Sequence, residues 1–421
     1  MTPNNFYFKS RQYSYSSEVS NDYIYSSDLL SLLRDEELKE FLINKYDLEE
    51  DLKISIDKVD RLFDTIKEYT DRFELIRLNV KDDMVTTFLE IDPETGKDEY
   101  YFTIKEGVDQ DGVIHENIKA MAIYDSLNLF YKGRSLSQYV RSLRTANKNM
   151  KPLLEDLNNS WSRYFKNNER EIKERTFRLL KREDKYFLKS INSGKYKEYG
   201  IAESFVITIL ELNKIQTKDP SLKFFISSVY LGESKIDLII SLNKKVRLEG
   251  AGFFKPSISI KNEDQGNTSL GVYNTLEFFP ENIKEGKIYL YPKEDDNKIK
   301  NSKSVTHTAS LEKVVEVYES ISDVFEQLEN YADDFSFYKG SASADVLRHR
   351  IAERLCGNNS YFKGLFSLQD LFTKDKTKHI KNLEGLLRIC GEAEKLDLEY
   401  DIKSRLRYII SDVLLYGKTK Y

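Results

Sequence analysis

The chain has 421 residues, of which 40% are hydrophobic, 13% aromatic and 32% charged. That mixture is too rich in Tyr and Phe for a disordered chain, and the length suits two or three domains of about 100–200 residues each. With 65 Lys and Arg against 70 Asp and Glu, the formal net charge is -5, so attraction to nucleic acid requires a local patch rather than the global field.

In chain order, Ser27 is placed to cap a helix carrying Leu29, Leu30, Leu33, Leu38, Phe41 and Leu42, and a first helical pair is expected. From Asp28 to Asp60 eleven acids stand against five bases, a region that repels phosphate. VTTFLEID, PETG and KDEYYFTIKEG (85–107) read as a hairpin around a Pro/Gly turn. From Glu116 to Tyr164 the apolar spacing is helical, through Ile118, Met121, Ala122, Leu127, Leu143, Leu154 and Trp161. FVITILELNKI (205–215) is helix-like, whereas FFISSVYL, KIDLIISL, PSISI and SLGVYNTLEF are strands. Leu311 to Tyr331 reads as one amphipathic helix, the remainder is helical, and EDDNKIKNSKS (294–304) is a loop.

Chemistry-bearing motifs are sparse. Cys356 and Cys390 are too few for a disulfide framework, and His115, His307, His349 and His379 form no HExxH or CxxC spacing, so no metal is expected. No GxxxxGK[ST] or GxGxxG occurs, and no cofactor is expected; Gly250–Gly252 reads as a bend. Asp237 with Glu249 and Lys244 or Lys245 lacks the Glu-x-Lys pair of a metal-dependent nuclease. The chain lacks an apolar run of about 18 residues, and MTPNNFYFKSRQYSYSS lacks a signal peptide's apolar centre. A cytoplasmic protein with no membrane partner is expected.

The basic segment is more informative. From Arg163 to Lys197 twelve bases face five acids, with Tyr164, Phe165, Phe177, Tyr186, Phe187 and Tyr196 interleaved. Cations for phosphates and rings for bases are what a single strand of DNA or RNA requires, and the candidate contacts are Arg170, Lys173, Arg175, Arg178, Lys181, Arg182, Lys185 and Lys195. A solvated face laced with ion pairs would have the same composition.

Further resemblance runs along the middle of the chain: MAIYDSLNLFYKGRSLSQYVRSLR (121–144), LLEDLNNSW (153–161), ERTFRLL (174–180), SGKY (193–196), SSVYLGESKIDLIISL, KPSISIKNEDQGNTSLGVYNTLEFF (255–279) and VTHTASLEKV (305–314). In this order they resemble the phage/plasmid-like protein family, domain-of-unknown-function family 932. The "CTNGM" signature of that family is absent, FFPEN standing in its place. The resemblance implies a mixed α+β domain encoded by a phage or plasmid, and it supplies no catalytic mechanism. Its most specific points are Asn262, Glu263, Gly266, Ser269 and His307, expected to converge on one polar cluster in which Glu263 and His307 could act as acid and base. The alternative is a solvated loop, with His307 near the start of the helix after Ser310.

The expected architecture is α+β, with an N-terminal helical and hairpin module (1–115), a central sheet-bearing domain (116–335) and a helical C-terminal extension (336–421). Three functions are open: a non-catalytic protein binding single-stranded nucleic acid, a structural or interaction protein of a virion or anti-defence complex with phage or host protein partners, and a divergent enzyme.

Overall fold

The computed structural model describes residues 11–15, 22–92, 96–132, 135–145, 151–193, 196–197, 199–232, 234–248, 252–263, 270–280, 287–291, 303–329, 343–357, 361–373, 380 and 382–416. It opens with strand β1 (Arg11–Ser14), then β2 (Ile24–Tyr25), α1 (Ser26–Ser31), α2 (Glu36–Tyr46), β3 (Lys53–Ile54) and α3 (Val59–Thr70). The expected helical pair is present, but Ser27 lies inside α1 rather than before it. The cap comes from across the β2–β3 pairing: Asp51 accepts from the Ser27 amide (3.0 Å), the Ser27 hydroxyl (3.0 Å) and the Ser26 hydroxyl (3.1 Å). For α2 the cap is local, Asp35 accepting from the Leu38 amide.

A small barrel follows. Its elements are β4 (Glu74–Lys81), β5 (Val85–Ile91), β6 (Asp98–Asp109), β7 (Ile114–Ala122), α4 (Ser126–Lys132), α5 (Ser137–Thr145), α6 (Lys151–Asn167), β8 (Glu174–Arg182) and β9 (Lys185–Asn192). The strand order is β4-β8-β9-β7-β6-β5, and β4 also pairs with β6 to close the ring. A single helical turn at Asp82–Met84 bends the chain, so that β4 pairs with β8 and β5 with β6. Counted as one bent strand, β4–β5 begins a five-stranded barrel of order 1-2-3-5-4. Its third and fifth strands, β7 and β9, run parallel, and its helices lie between the third and fourth. That is the topology of the OB-fold. Gly107 permits the closure, because a Cβ there would stand 2.9 Å from a Val80 methyl. Leu78, Val80, Phe102, Ile104, Phe177, Leu179 and Leu188 fill the interior, stoppered by Phe130, Tyr131, Val140 and Leu143.

The hairpin expected over 85–107 is present as β5–β6, with residues 93–95 outside the described residues. The helical reading from Glu116 fails at its start, since Ile114–Ala122 is a strand and helix begins at Ser126. Ile114, Ile118, Met121 and Ala122 have helical spacing, but the barrel provides pairing partners on both edges, and tertiary pairing overrides local period. The expected 115/116 boundary therefore falls inside β7.

The second core is built on α7 (Ile201–Lys218), β10 (Phe224–Leu231), β11 (Lys235–Leu242), β12 (Val246–Leu248), β13 (Gly252–Glu263), β14 (Leu270–Pro280), β15 (Ile288–Leu290), β16 (Lys303–Val305), α8 (Leu311–Glu319), α9 (Ile321–Glu329), α10 (Ala344–Cys356), α11 (Phe366–Phe372), α12 (Leu383–Lys395) and α13 (Tyr400–Tyr416). Its sheet is antiparallel, in order β1-β10-β11-β13-β14-β15, with β12 on β13 and β16 on β14. The single helix expected over 311–331 breaks at the buried Ser320, whose hydroxyl turns back onto the Val317 carbonyl.

Strand alternation divides the sheet's two faces. Phe254, Ile258, Ile260 and Asn262 face α7 and α9, while Lys255, Ser257, Ser259, Lys261 and Glu263 face the side covered by α12 and α13. The C-terminal helices are thus a layer of this core. With the first three helices packed on α7, the described residues of 11–70 and 199–416 share one core. The fold is α+β, with the barrel inserted between α3 and α7.

Candidate nucleic-acid interface

The basic segment runs from the end of α6 through the β8–β9 hairpin of the barrel, and the candidate cations it carries fall into two groups. Arg175 is held by Asp82, Nε to Oδ1 at 2.7 Å, with its guanidinium 4.9 Å from the Phe130 ring centre. Arg178 is 1% exposed, lies over the Tyr196 ring at 5.2 Å and is 3.4 Å from the Ser190 hydroxyl. Lys181 pairs with Glu74 at 3.2 Å, a hydrogen bond that raises the lysine above its ordinary range. These three neutralise or pack against the protein itself. Arg170, Lys173, Arg182 and Lys185 are exposed. Lys195 lies outside the described residues.

Arg182 and Lys185 flank the tight turn at Glu183–Asp184 between β8 and β9, where Glu183 adopts a left-handed conformation, φ 54°. The register carries their row across the outside of the barrel. Arg182 opposes Lys185, and Thr86, Thr103 and Lys119 stand opposite one another on β5, β6 and β7. The adjacent row is Phe88, Tyr101, Met121, Phe187 and Leu180, again paired strand to strand. Phe88 and Tyr101 stack at 5.7 Å, and the Lys119 amine lies 4.8 Å from the Tyr101 ring and 5.5 Å from that of Phe88 while pairing with Glu90 at 2.7 Å. A ring row beside a cation row is thereby set on the β6–β7 face, next to the β8–β9 turn; in it Phe88 is partly exposed, whereas Tyr101, Met121, Phe187 and Leu180 are buried. In an OB-type barrel this face and the two loops beside it are the ligand surface.

One edge is closed by α6. The Asn158 amide nitrogen donates to the Thr87 carbonyl at 2.6 Å and its oxygen accepts from the Thr87 amide, which caps the outer edge of β5 as a neighbouring strand would. Beyond Asn158, Arg163 and Lys166 are exposed and, with Arg170 and Lys173, have no ion-pair partner among the described residues. Glu169, Glu171 and Glu174 are interleaved with them.

The polar cluster expected from the sequence is only partly assembled. Asn262 donates to the Gly200 carbonyl (3.0 Å), the Ser204 hydroxyl (2.8 Å) and the Tyr199 carbonyl, tying β13 to the start of α7. His307 stacks on Tyr196 at 4.9 Å and on Tyr199 at 6.4 Å, so Tyr199 joins it to Asn262. Glu263, the next residue on β13, points to the opposite face, 3.7 Å from Lys235. Gly266 and Ser269 lie outside the described residues. Tyr196, over which Arg178 lies, connects this stack to the barrel.

Reading the sequence missed Lys119, Phe88 and Tyr101. The alternation in DEYYFTIKEG was a usable signal for Tyr101, but the helical reading of β7 concealed the third strand that sets Lys119 over it. Neither a family model, nor a curated protein, nor a solved structure matches this chain.

Proposed function

We propose that the protein binds single-stranded nucleic acid, without catalysis, on the outer β6–β7 face of the barrel. The observation carrying this reading is the strand order, bent first strand and helix placement of an OB-type barrel, with rings and cations in adjacent rows on its ligand face. Phage or plasmid origin, and membership of the family resembled above, belong to the same proposal. The enzyme alternative draws no support from Glu263 and His307, which face opposite sides of the sheet.

Fluorescence anisotropy with a labelled single-stranded oligonucleotide tests it. Affinity falls steeply with salt, and replacing Lys119, Arg182 and Lys185 together by Gln lowers the log–log salt slope by about 2, at roughly 0.7 per phosphate contact. Phe88→Ala costs about 1–3 kcal/mol if a base stacks there. Absence of binding at about 50 mM salt, where phosphate contacts are strongest, sinks the reading in favour of a structural or interaction protein.

A further inference from the structure

The cation nearest the exposed ring of the barrel face is already held by a carboxylate of the same face. Phe88 and Glu90 on β5, Tyr101 and Thr103 on β6 and Lys119 on β7 all point to the outer side of the barrel. Straight across the sheet Lys119 meets Thr103 and then Thr86, whereas Glu90 meets Glu99. The pair between Lys119 and Glu90, at 2.7 Å, therefore runs diagonally over β6. It lays the Lys119 amine 4.8 Å from the centre of the Tyr101 ring and 5.5 Å from that of Phe88, the ring of this row that solvent reaches.

Neither partner is fixed from elsewhere. The Lys119 and Glu90 side chains are 50% and 47% exposed, and among the described residues each has only the other as an ion-pair partner. An exposed pair of this kind contributes little and is screened by salt, so a second anion displaces it easily. The strand order sets where that anion comes from. Arg182 and Lys185 lie on β8 and β9, on the far side of β7 from Glu90. A chain whose phosphates rest on those two cations brings its next phosphate to Lys119 at a high effective concentration, which a lone phosphate in solution lacks.

We propose, resting on the reading of this face as a single-strand surface, that Glu90 is an internal competitor of the strand. It keeps Lys119 closed over the Phe88–Tyr101 pair, and a strand phosphate opens the closure by replacing the Glu90 carboxylate as the anion of Lys119. Glu90 touches no ligand once the amine has moved; it is a positioning residue that acts through Lys119. The closure sets a threshold that favours a run of phosphates over a mononucleotide, and its opening leaves the face of Phe88 free for a base.

A double-mutant cycle tests it, read by fluorescence anisotropy on the full-length protein with a labelled oligothymidylate of about twelve nucleotides, within the usual span of such barrels, at about 50 mM salt, where phosphate contacts are strong. Glu90→Gln should tighten binding about threefold, the scale of one exposed ion pair. Lys119→Met keeps an apolar stem over the rings and removes the charge; in that background Glu90→Gln should change affinity by less than about 1.5-fold. An equal gain in both backgrounds would mean general repulsion by the carboxylate and overturns the proposal, as does the lack of any gain in the wild-type background. Absence of binding by the wild-type protein and the Glu90→Gln variant alike overturns the single-strand reading, and the proposal with it.

Discussion

A single carboxylate fastens the beginning of α1. The Ser27 amide, then the hydroxyls of Ser27 and Ser26, hold the Asp51 carboxyl below its ordinary range. A depressed carboxylate contributes stability that is complete above its unfolded value of about 3.9 and disappears as pH falls through the folded value. Asp51→Ala should therefore melt earlier than wild type at pH 7, with the gap closing below about pH 4; a gap of unchanged size at low pH would contradict the assignment. Asp82 is a costlier residue to lose, since its removal leaves the partly buried guanidinium of Arg175 without its anion. Asp82→Ala should cost about 3 kcal/mol by chemical denaturation. Replacing Arg182, at the exposed end of the same hairpin, should cost well under 1 kcal/mol.

At the scale of elements, α6 replaces a missing strand. Because the Asn158 side chain satisfies both backbone groups of Thr87 at the outer edge of β5, Asn158→Ala should cost about 1–3 kcal/mol, whereas the same change at exposed Asn159 should be nearly silent. The elements that could be read from sequence were those whose partners lie close in the chain: the β5–β6 and β10–β11 hairpins, and α7 with its continuous apolar run. Those that could not were fixed by distant partners. Ile114–Ala122 pairs on one edge with β6, just before it in the chain, but its other edge is filled only by β9, about seventy residues later, and the layer role of α13 depends on polar residues of β11 such as Asp237, which receives the Tyr400 hydroxyl. Of the candidate interface, Arg182 and Lys185 were legible as charge. The burial of Arg178 was not, because composition cannot say which face of a strand meets a neighbour.

For the whole molecule, the separate cores predict separate unfolding. Trp161 is the only tryptophan of the chain and sits on α6, against the barrel. Its fluorescence should therefore report loss of the barrel alone, while helical circular dichroism, dominated by the other core, follows a different urea midpoint; coincident curves would mean that the joint through Arg178, Tyr196 and His307 unites the two cores into one cooperative unit. The insertion also sets an order in time. As the chain leaves the ribosome, β1 waits for β10, the Gln12–Ser228 contact spanning 216 residues. At about 5–20 residues per second that delay lasts on the order of tens of seconds. All the strands of the barrel emerge within that interval, so the inserted part is complete before β1, which precedes it in the chain, has its partner strand.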